Sequence, residues 1–300
     1  MPTQNGENVS LRVLYSENLG RNVADLGLPE YVLNSVNTVL NLSEGLILLT
    51  GGTGSGKTTT MYTSINQIMD KSGGTKNVIT LENPVEYIIA GAVQSQINEL
   101  RGYTYPKALK TSLRQNPDVI LIGEINDKET AQTAVRASTS GHLVFSTLHT
   151  NDVLSVGQSM EYYGVNNLEL SWALQLIINQ KLANKLCPKC RKKVMISDVK
   201  KLNWINRLGI SEELLNVYEK SEHGCEECKG YGYKGRVLIC SMLDANETYT
   251  KLAMQNMTLV ELEKALINDD SAKYYTLNQD VFRHLKAGNI DLITAKGLLR

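Results

Sequence analysis

The string GGTGSGKT at residues 51–58 combines glycines, a lysine and a threonine at a spacing that suits phosphate chemistry. Glycines let backbone N–H groups wrap around phosphate oxygens, and the N-terminus of a following helix adds positive potential. The lysine neutralises the β and γ phosphates, and the threonine hydroxyl can ligate Mg²⁺. We therefore predict ATP and Mg²⁺ as ligands of this loop. Its predicted ATP-binding residues are Gly51, Gly52, Thr53, Gly54, Ser55, Gly56, Lys57, Thr58 and Thr59.

Two glutamates follow apolar runs further along the chain. Glu82 comes directly after residues 77–81, and Glu124 comes shortly after the run 119–122. A carboxylate at Glu124 can reach a Mg²⁺-bound water beside the phosphates, so we predict Glu124 as the catalytic acid on the metal side. Glu82 is predicted to orient or deprotonate the attacking water, with Glu86 in reserve. The alternative for Glu82 and Glu124 is a helix-capping or surface carboxylate.

Four of the five cysteines form two CxxC pairs, Cys187 with Cys190 and Cys225 with Cys228. Each pair can present two thiolates to one tetrahedral ion, so we predict a structural Zn²⁺ bound by all four, with no open coordination position. The 34 residues 191–224 between the pairs exceed the spacer of a simple zinc ribbon. We expect a helical insertion to fill this spacer.

Two other residues near the cysteines have less specific interpretations. His223 is an alternative metal ligand, but a solvated loop histidine fits its position better. Cys240 is left over from the pairs and is expected to be a small core residue.

Basic residues after the first pair raise the alternative of a nucleic-acid-binding zinc ribbon. The run comprises Arg191, Lys192 and Lys193. No stacking aromatics lie among these residues, and the glutamates inside the second CxxC pair, Glu226 and Glu227, would repel phosphates. We therefore favour a solvated basic loop and expect no nucleic-acid partner.

The elements that must position these groups alternate between short β-rich runs and helical segments from residue 45 onward. This alternation predicts an α/β fold with a mostly parallel sheet covered by helices. A strand at 9–14 and a helix at 29–40 precede it. The later strands are predicted at 46–49, 77–81, 119–122 and 143–145, and the helices from 57, near 106–113 and from 127.

Two helical segments carry further expectations. In the helix from residue 57, Met61, Ile65 and Ile68 form one apolar stripe that should pack on the sheet. Residues 168–186, which include Trp172, are apolar nearly all round and are predicted to form a buried helix that leads out of the core.

Bulk composition disfavours several classes of protein. Lysine plus arginine and aspartate plus glutamate both number 31, so the formal charge is zero and indicates neither a nucleic acid nor an anionic lipid as partner. The apolar runs are far shorter than the roughly 20 residues of a membrane helix. The N-terminus lacks the features of a secretory signal, so we expect a cytoplasmic protein without structural disulfides.

Three segments that follow the loop carry a specific resemblance. TLENPVEY, NPDVILIGEINDKET and TSGHLVFSTLHTND stand in that order within residues 80–152. They resemble the Asp box, Walker B and His box of the ATPases of type II secretion and type IV pilus assembly. The cysteine module resembles the assembly branch of that family, and the similarity runs from about residue 2 to the C-terminus.

The resemblance implies a fold and roles for particular residues. It implies a RecA-like P-loop NTPase core with a small zinc-binding insert and a helical C-terminal region. Glu82 matches the family residue that acts on the attacking water. His142 and His149 match residues that sense the γ-phosphate or couple subunits, with His149 a catalytic residue and His142 a cofactor-binding one. The alternative for each histidine is a hydrogen-bonded residue at a strand end.

The chain departs from the family pattern at three positions. Asn83 stands where aspartate is usual, and Asn126 and Ser159 stand where arginine is common. Arginine stabilises a phosphate transition state better than a neutral side chain does. The resemblance therefore also implies a reduced rate or weaker coupling between subunits.

The resemblance further implies partners and a location. A hexameric ring of copies of this chain would act on an inner-membrane platform protein, from the cytoplasm and peripherally at the cytoplasmic membrane. Residues 2–14 resemble only the last strand region of the family's N-terminal domain. That domain contributes arginines to the ATP site, and only Arg12 remains here as a possible match to them. We therefore expect a separate polypeptide or an upstream segment to supply that domain, and slow hydrolysis without it. The alternative function is an ATP-binding ring subunit that hydrolyses weakly.

The composition shifts and the resemblance together divide the chain into four parts. These are a remnant of the N-terminal domain at 1–18, the ATPase core at 19–186, the tetracysteine module at 187–240 and the helical C-terminal region at 241–300.

Overall fold

The computed structural model describes residues 2–4, 6–9, 22–195, 216–255 and 257–299. Its strands are β1 (Pro2–Thr3), β2 (Gly6–Glu7), β3 (Gly45–Thr50), β4 (Val78–Glu82), β5 (Val93–Gln96), β6 (Val119–Ile122), β7 (Leu143–Leu148), β8 (Leu174–Leu186), β9 (Lys192–Met195), β10 (Asn216–Glu219), β11 (Tyr233–Asp244) and β12 (Tyr274–Tyr275). Its helices are α1 (Glu30–Val39), α2 (Lys57–Lys71), α3 (Tyr105–Ser112), α4 (Lys128–Ser138), α5 (Val156–Tyr162), α6 (Asn167–Ala173), α7 (Glu247–Ala253), α8 (Leu259–Asn268), α9 (Leu277–Lys286) and α10 (Leu292–Leu298).

One sheet of eight strands forms the centre, in the order β12-β11-β8-β3-β7-β6-β4-β5. The strands from β8 to β5 in that order pair in parallel. β11 runs antiparallel to β8, and β12 runs antiparallel to β11. The result is the α/β fold with a mostly parallel sheet that the sequence predicts. The carboxyl ends of β3, β4, β6 and β7 therefore lie along one side of the sheet, which we call the carboxyl edge.

Alternating side chains of the parallel strands separate into two apolar cores. In β3, Leu46 and Leu48 join the core on one face, whereas Ile47 and Leu49 join the core on the other. Helices α3 to α6 pack on the first face, and α1 and α2 pack on the second. Burial of each such side chain contributes about 1.5–3 kcal/mol, so the two cores fix the strand register.

The predicted elements between residues 29 and 150 agree with the structure to within a few residues. Pro29 precedes α1, and Asp127 caps α4 by accepting a hydrogen bond from Thr130 N at 2.8 Å. The predicted apolar stripe of α2 is buried in the second core. The strand predicted at 9–14 lies almost wholly outside the described residues.

The prediction of a helix at residues 168–186 is wrong. Only Asn167–Ala173 is helical, and Leu174–Leu186 is a strand of 13 residues. This strand, β8, lies between β3 and β11, and its residues 176–180 are buried on both faces, so its apolar stretch has no alternation that would distinguish it from a buried helix. Trp172, expected in the core, is 64% exposed.

The antiparallel pair β8 and β11 extends the sheet beyond its other strands. Helices α9 and α10 pack on this extension through a third, smaller core. Cys240 of β11 is fully buried, as expected. The strand β11 continues through residue 240, where the sequence analysis divides the tetracysteine module from the C-terminal region.

No helix in the described ranges is both long and apolar enough to cross a membrane.

A buried polar network joins α9 to β11. The fully buried Asp280 carboxylate accepts hydrogen bonds from Cys240 N at 2.8 Å, Tyr275 OH at 3.1 Å and Arg283 Nε at 2.7 Å. His284 is 3% exposed, and its Nε2 lies 3.0 Å from the carbonyl oxygen of Leu238. Burial and the charge of Arg283 lower the pKa of His284 to about 4.

This pKa predicts how stability depends on pH. The folded state holds His284 neutral, whereas the unfolded chain protonates it near pH 6.5. The free energy of unfolding should therefore contain a contribution that is complete above about pH 6.5 and is lost as the pH falls toward about 4. Urea unfolding at about pH 7 and about pH 5 measures this difference. His284→Gln should reduce the difference in the free energy of unfolding between these two pH values. An unchanged difference in this variant would contradict a neutral His284.

Candidate functional site

The glycine-rich loop connects the carboxyl end of β3 to the start of α2. Gly51 has a φ of +129°, and a Cβ atom there would overlap the carbonyl oxygen of Gln180 in the neighbouring β8. Gly56 has a φ of +93° at the N-cap of α2. Both positions require glycine because other residues rarely adopt this conformation. The loop therefore lies tightly against β8, with the first N–H groups of α2 at its centre.

Lys57 is the buried cation of the loop. The residue is only 9% exposed, and its Nζ donates hydrogen bonds to Gly51 O at 2.7 Å and to Gly52 O at 3.0 Å. Burial lowers the pKa of Lys57, and the charge of Glu124 opposes this effect. The hydroxyl of Ser55 is also buried, and within the described residues it has no hydrogen-bond partner. Loop, cation and orphaned hydroxyl fit a polyphosphate whose oxygens can pair with each of them.

Glu124 and His149 meet at the carboxyl edge beside the loop. His149 Nε2 lies 3.4 Å from Glu124 Oε2, and their side chains are 57% and 37% exposed. The amide of Asn126 donates to Glu124 Oε1 at 3.0 Å. The structure thus brings the predicted acid, the second His-box histidine and Lys57 into one region that solvent can enter.

Glu82 occupies the end of β4 and is only 4% exposed. Its carboxylate accepts hydrogen bonds from Tyr62 OH, from Thr80 Oγ1 and, at 3.2 Å, from Gln94 Nε2. These donors compensate for the loss of hydration that burial of a carboxylate entails. Sequence reasoning did not identify Tyr62 or Gln94, because neither the pairing of β5 with β4 nor the rotation of α2 can be read from spacing.

Glu82 and Glu124 both act on Tyr105 of α3. Burial raises the pKa of the Tyr105 phenol, and the charges of Glu124 and Glu82 raise it further. Both carboxylates therefore lie close enough to Tyr105 to act on it electrostatically.

His142 is not part of this cluster. It precedes β7, its backbone oxygen accepts a hydrogen bond from Gly45 N at 3.2 Å, and its Nδ1 lies 3.1 Å from Ala137 O. Gly45 begins β3, so His142 is at the edge of the sheet opposite the carboxyl edge. The six residues of β7 place it about 20 Å from His149. The structure does not bring His142 to the loop of its own chain.

Two buried amides in β8 were also missed by the sequence analysis. Asn179 donates to Thr50 Oγ1 at 2.9 Å, directly before the loop, and Gln180 donates to Thr60 Oγ1 at 2.8 Å in the first turn of α2. The signal was available as two adjacent amides directly after the apolar residues 176–178. They tie β8 to both ends of the loop.

The four cysteines of the CxxC pairs form one cluster. Their sulfur atoms all lie within 4.8 Å of one another. The separations between sulfur atoms are 3.7 Å for Cys187 and Cys225, 3.8 Å for Cys190 and Cys228, and 3.7 Å for Cys225 and Cys228. Four thiolates about 2.3 Å from a tetrahedral ion would be about 3.8 Å apart. The donor set therefore fits one tetrahedral metal ion.

The backbone around the second pair supports the cluster. The N–H groups of Cys225 and Gly232 donate to Cys228 Sγ at 3.1 and 3.2 Å. Burial works against ionisation of Cys228, but these two donors and the neighbouring thiols outweigh it and lower its pKa to about 6. The two backbone donors therefore favour a thiolate at Cys228, whereas burial and the neighbouring thiols raise the pKa of Cys190 to about 12.

The residues around the cysteine cluster bear on the expectations for His223 and for the spacer between the two cysteine pairs. His223 is exposed and does not belong to the sulfur cluster. Glu227 forms ion pairs with Lys189 at 2.8 Å and with Lys234 at 2.7 Å. Strands β9 and β10 form an antiparallel pair within the spacer. The helical insertion expected there falls largely on residues 196–215, outside the described residues.

The loop geometry predicts different effects of two adjacent glycine substitutions. Gly51→Ala adds a Cβ at a positive φ and against Gln180 O, whereas a Cβ at Gly52 would contact no atom within 4 Å. Gly51→Ala should therefore lower the melting temperature by about 5 °C or more, with Gly52→Ala as the matched control. Thermal unfolding without nucleotide measures both variants. Equal melting temperatures would contradict the close packing of Gly51 against β8.

Comparison with known proteins gives the context of this geometry. The model of the family described as Type II/IV secretion system protein matches residues 1–288. The chain is 37% identical over 248 residues to Type II secretion system protein E of Dickeya dadantii. This alignment covers 83% of this chain and 48% of the relative. The chain is 36% identical over 267 residues to the type IV pilus assembly ATPase PilB of Myxococcus xanthus, with 89% and 46% covered. The chain thus spans about half the length of these curated relatives.

The fold also has a solved counterpart. The crystal structure of the pilus retraction motor PilT with bound ADP aligns with a TM-score of 0.64 and 29% identity, and covers 96% of this chain and 68% of that chain. This match confirms the predicted fold class, and the family match confirms the resemblance drawn from the three boxes. The chain belongs to the Type II/IV secretion system protein family.

Proposed function

We propose that this chain is an ATP-hydrolysing motor subunit that powers assembly of pilus or pseudopilus fibres, in a type II secretion, type IV pilus or competence system. One observation carries the proposal: the glycine-rich loop, Lys57, Glu124 and His149 converge at the carboxyl edge of one parallel sheet. The names of the relatives, which include a pilus assembly ATPase, agree with it.

In this proposal, the loop residues 51–59 bind the phosphates of ATP. Lys57 leaves the two loop carbonyls that it now contacts and pairs with phosphate oxygens, a charge-assisted contact that is stronger than its present ones. Thr58 and Glu124 would hold Mg²⁺. The ion would neutralise charge that develops on the phosphates during transfer.

Glu82 is proposed to orient or deprotonate the attacking water. Oε1 accepts two of its hydrogen bonds, whereas Oε2 accepts only that of Tyr62, so Oε2 keeps an acceptor position for the attacking water. His149 is proposed to sense the γ-phosphate through its contact with Glu124. Of the two roles implied for His142, subunit coupling is the one that suits its position at the edge of the sheet opposite the carboxyl edge.

The four cysteines are proposed to bind one structural Zn²⁺. With four protein sulfurs within bonding geometry of one ion, the site has no position for a substrate. The ion would hold together the small module between β8 and β11, which is too small to form a core of its own.

We further propose that copies of the chain assemble into a hexameric ring at the cytoplasmic face of a membrane, where the ring acts on a platform protein. The alternative function is an ATP-binding subunit that hydrolyses weakly. The neutral Asn126 amide favours this alternative, because it contacts Glu124 where a guanidinium would add positive charge.

Substitution of Lys57 and Glu82 should separate binding from chemistry. Lys57→Ala should remove tight Mg²⁺-ATP binding, because the loop then lacks its buried cation. Glu82→Gln should keep binding within about twofold and lower hydrolysis by about 100-fold or more. Binding of a fluorescent ATP analogue and single-turnover phosphate release measure the two effects.

The matched control for the first variant is Lys71→Ala, which removes an exposed lysine from the end of the same helix. Lys71→Ala should bind and hydrolyse ATP like the unsubstituted chain. Full ATP binding by Lys57→Ala, or full hydrolysis by Glu82→Gln, would contradict the assigned roles.

The cysteine cluster predicts the metal content of the purified protein. We expect one zinc per chain by elemental analysis after purification without chelator, since the four sulfurs fit one ion. Cys225→Ser should lose the zinc and lower the melting temperature, whereas Cys240→Ser should retain the zinc. Absence of stoichiometric metal in the unsubstituted protein would rule out the site.

A further inference from the structure

The carboxylate of Glu82 is held by donors from three different elements. Thr80 belongs to the same strand, β4, and Gln94 belongs to the edge strand β5. Gln94 is itself fixed, because its Nε2 donates to Tyr87 O at 2.9 Å and its Oε1 accepts from Ile89 N at 2.7 Å. The third donor, Tyr62, comes from α2, the helix that begins with Lys57.

Tyr62 is fixed as firmly as the carboxylate that it contacts. The residue is fully buried, and its ring packs edge-on against Tyr87 with the ring centroids 5.9 Å apart. Its hydroxyl donates to Glu82 Oε2 and accepts a hydrogen bond from Glu86 N at 3.3 Å. Burial raises the pKa of the Tyr62 phenol, and the hydrogen bond to Glu82 raises it further. The hydroxyl therefore keeps its proton and remains a donor at neutral pH.

We infer that Tyr62 is a positioning residue for ATP hydrolysis, because its phenol links the helix that follows the phosphate loop to the carboxylate of Glu82. This inference rests on the proposed role of Glu82. Lys57 and Tyr62 are five positions apart on one rigid helix, so a phosphate bound at Lys57 and the carboxylate held by Tyr62 have a fixed separation. A displacement of about 1 Å between reacting groups can cost about 100-fold in rate.

A purely structural role for the same hydrogen bond predicts a different outcome. If the bond only ties α2 to β4, its loss lowers stability and affects chemistry no more than any other loss of a buried hydroxyl. If the bond positions Glu82, its loss lowers the rate of cleavage while nucleotide affinity stays constant. The effect must then also disappear when Glu82 has lost its carboxylate.

The test is Tyr62→Phe, which removes the hydroxyl and keeps the ring that packs on Tyr87. The matched control is Tyr249→Phe on α7, a residue 5% exposed that lies in the core on the other face of the sheet. Melting temperature, affinity for a fluorescent ATP analogue and single-turnover phosphate release are measured for each. We expect Tyr62→Phe to lower the cleavage rate by about tenfold with affinity changed by less than about twofold. Tyr249→Phe should leave both the rate and the affinity unchanged.

A double-mutant cycle with Glu82→Gln separates this inference from the proposed function. In the Glu82→Gln background, Tyr62→Phe should change the cleavage rate by less than about twofold, because no carboxylate remains to be positioned. An undiminished effect of Tyr62→Phe in that background would overturn the inference. A normal rate in the single variant Tyr62→Phe, with Glu82→Gln inactive, would also overturn it and would leave the role of Glu82 intact. A normal rate for Glu82→Gln alone would overturn both.

Discussion

Parallel pairing around β3 is the constraint on which the candidate site depends. Because β7 and β8 flank β3 with the same direction, the loop after β3 is adjacent to the segment that follows β7 and to the interior of β8. A one-residue change in register would exchange the two apolar cores and would move the polar residues at the strand ends to the wrong faces. The apolar alternation of the strands therefore determines the chemistry at the carboxyl edge as well as the stability of the fold.

β8 connects the two candidate ligand sites of the molecule. Its middle carries Asn179 and Gln180, which contact both ends of the phosphate loop, and its last residue precedes Cys187. β11 pairs with it and returns from the second cysteine pair to the sheet. The cysteine cluster is thus attached to the loop through a pair of strands rather than through a flexible linker. Within β8, the residues beside the loop are buried, whereas several of those nearer the cysteines are partly exposed.

Sequence patterns predicted helix α2 from its apolar stripe and the strand at 119–122 from its short apolar run, although both faces of that strand are covered. β8 was predicted as a helix because it directly follows α6, so residues 168–186 form one run of helix length. A buried strand has no alternation that would divide this run into a helix and a strand. The separation of His142 from His149 needed only strand polarity, since one precedes β7 and the other follows it. The hydrogen bonds from Tyr62 and Gln94 to Glu82 could not be predicted, because they join distant segments of the chain and spacing does not encode such contacts.

We propose that the loop, Lys57 and Glu124 form one site for Mg²⁺-ATP. A crystal structure of the chain with Mg²⁺ and a non-hydrolysable ATP analogue is the decisive test of this proposal. We predict that the triphosphate lies in loop 51–59 and that Lys57 Nζ contacts phosphate oxygens instead of the Gly51 and Gly52 carbonyls. We also predict that the metal ion lies between Thr58 and Glu124. A nucleotide bound elsewhere, or a loop in which Lys57 keeps both carbonyl contacts with the analogue present, would contradict this site.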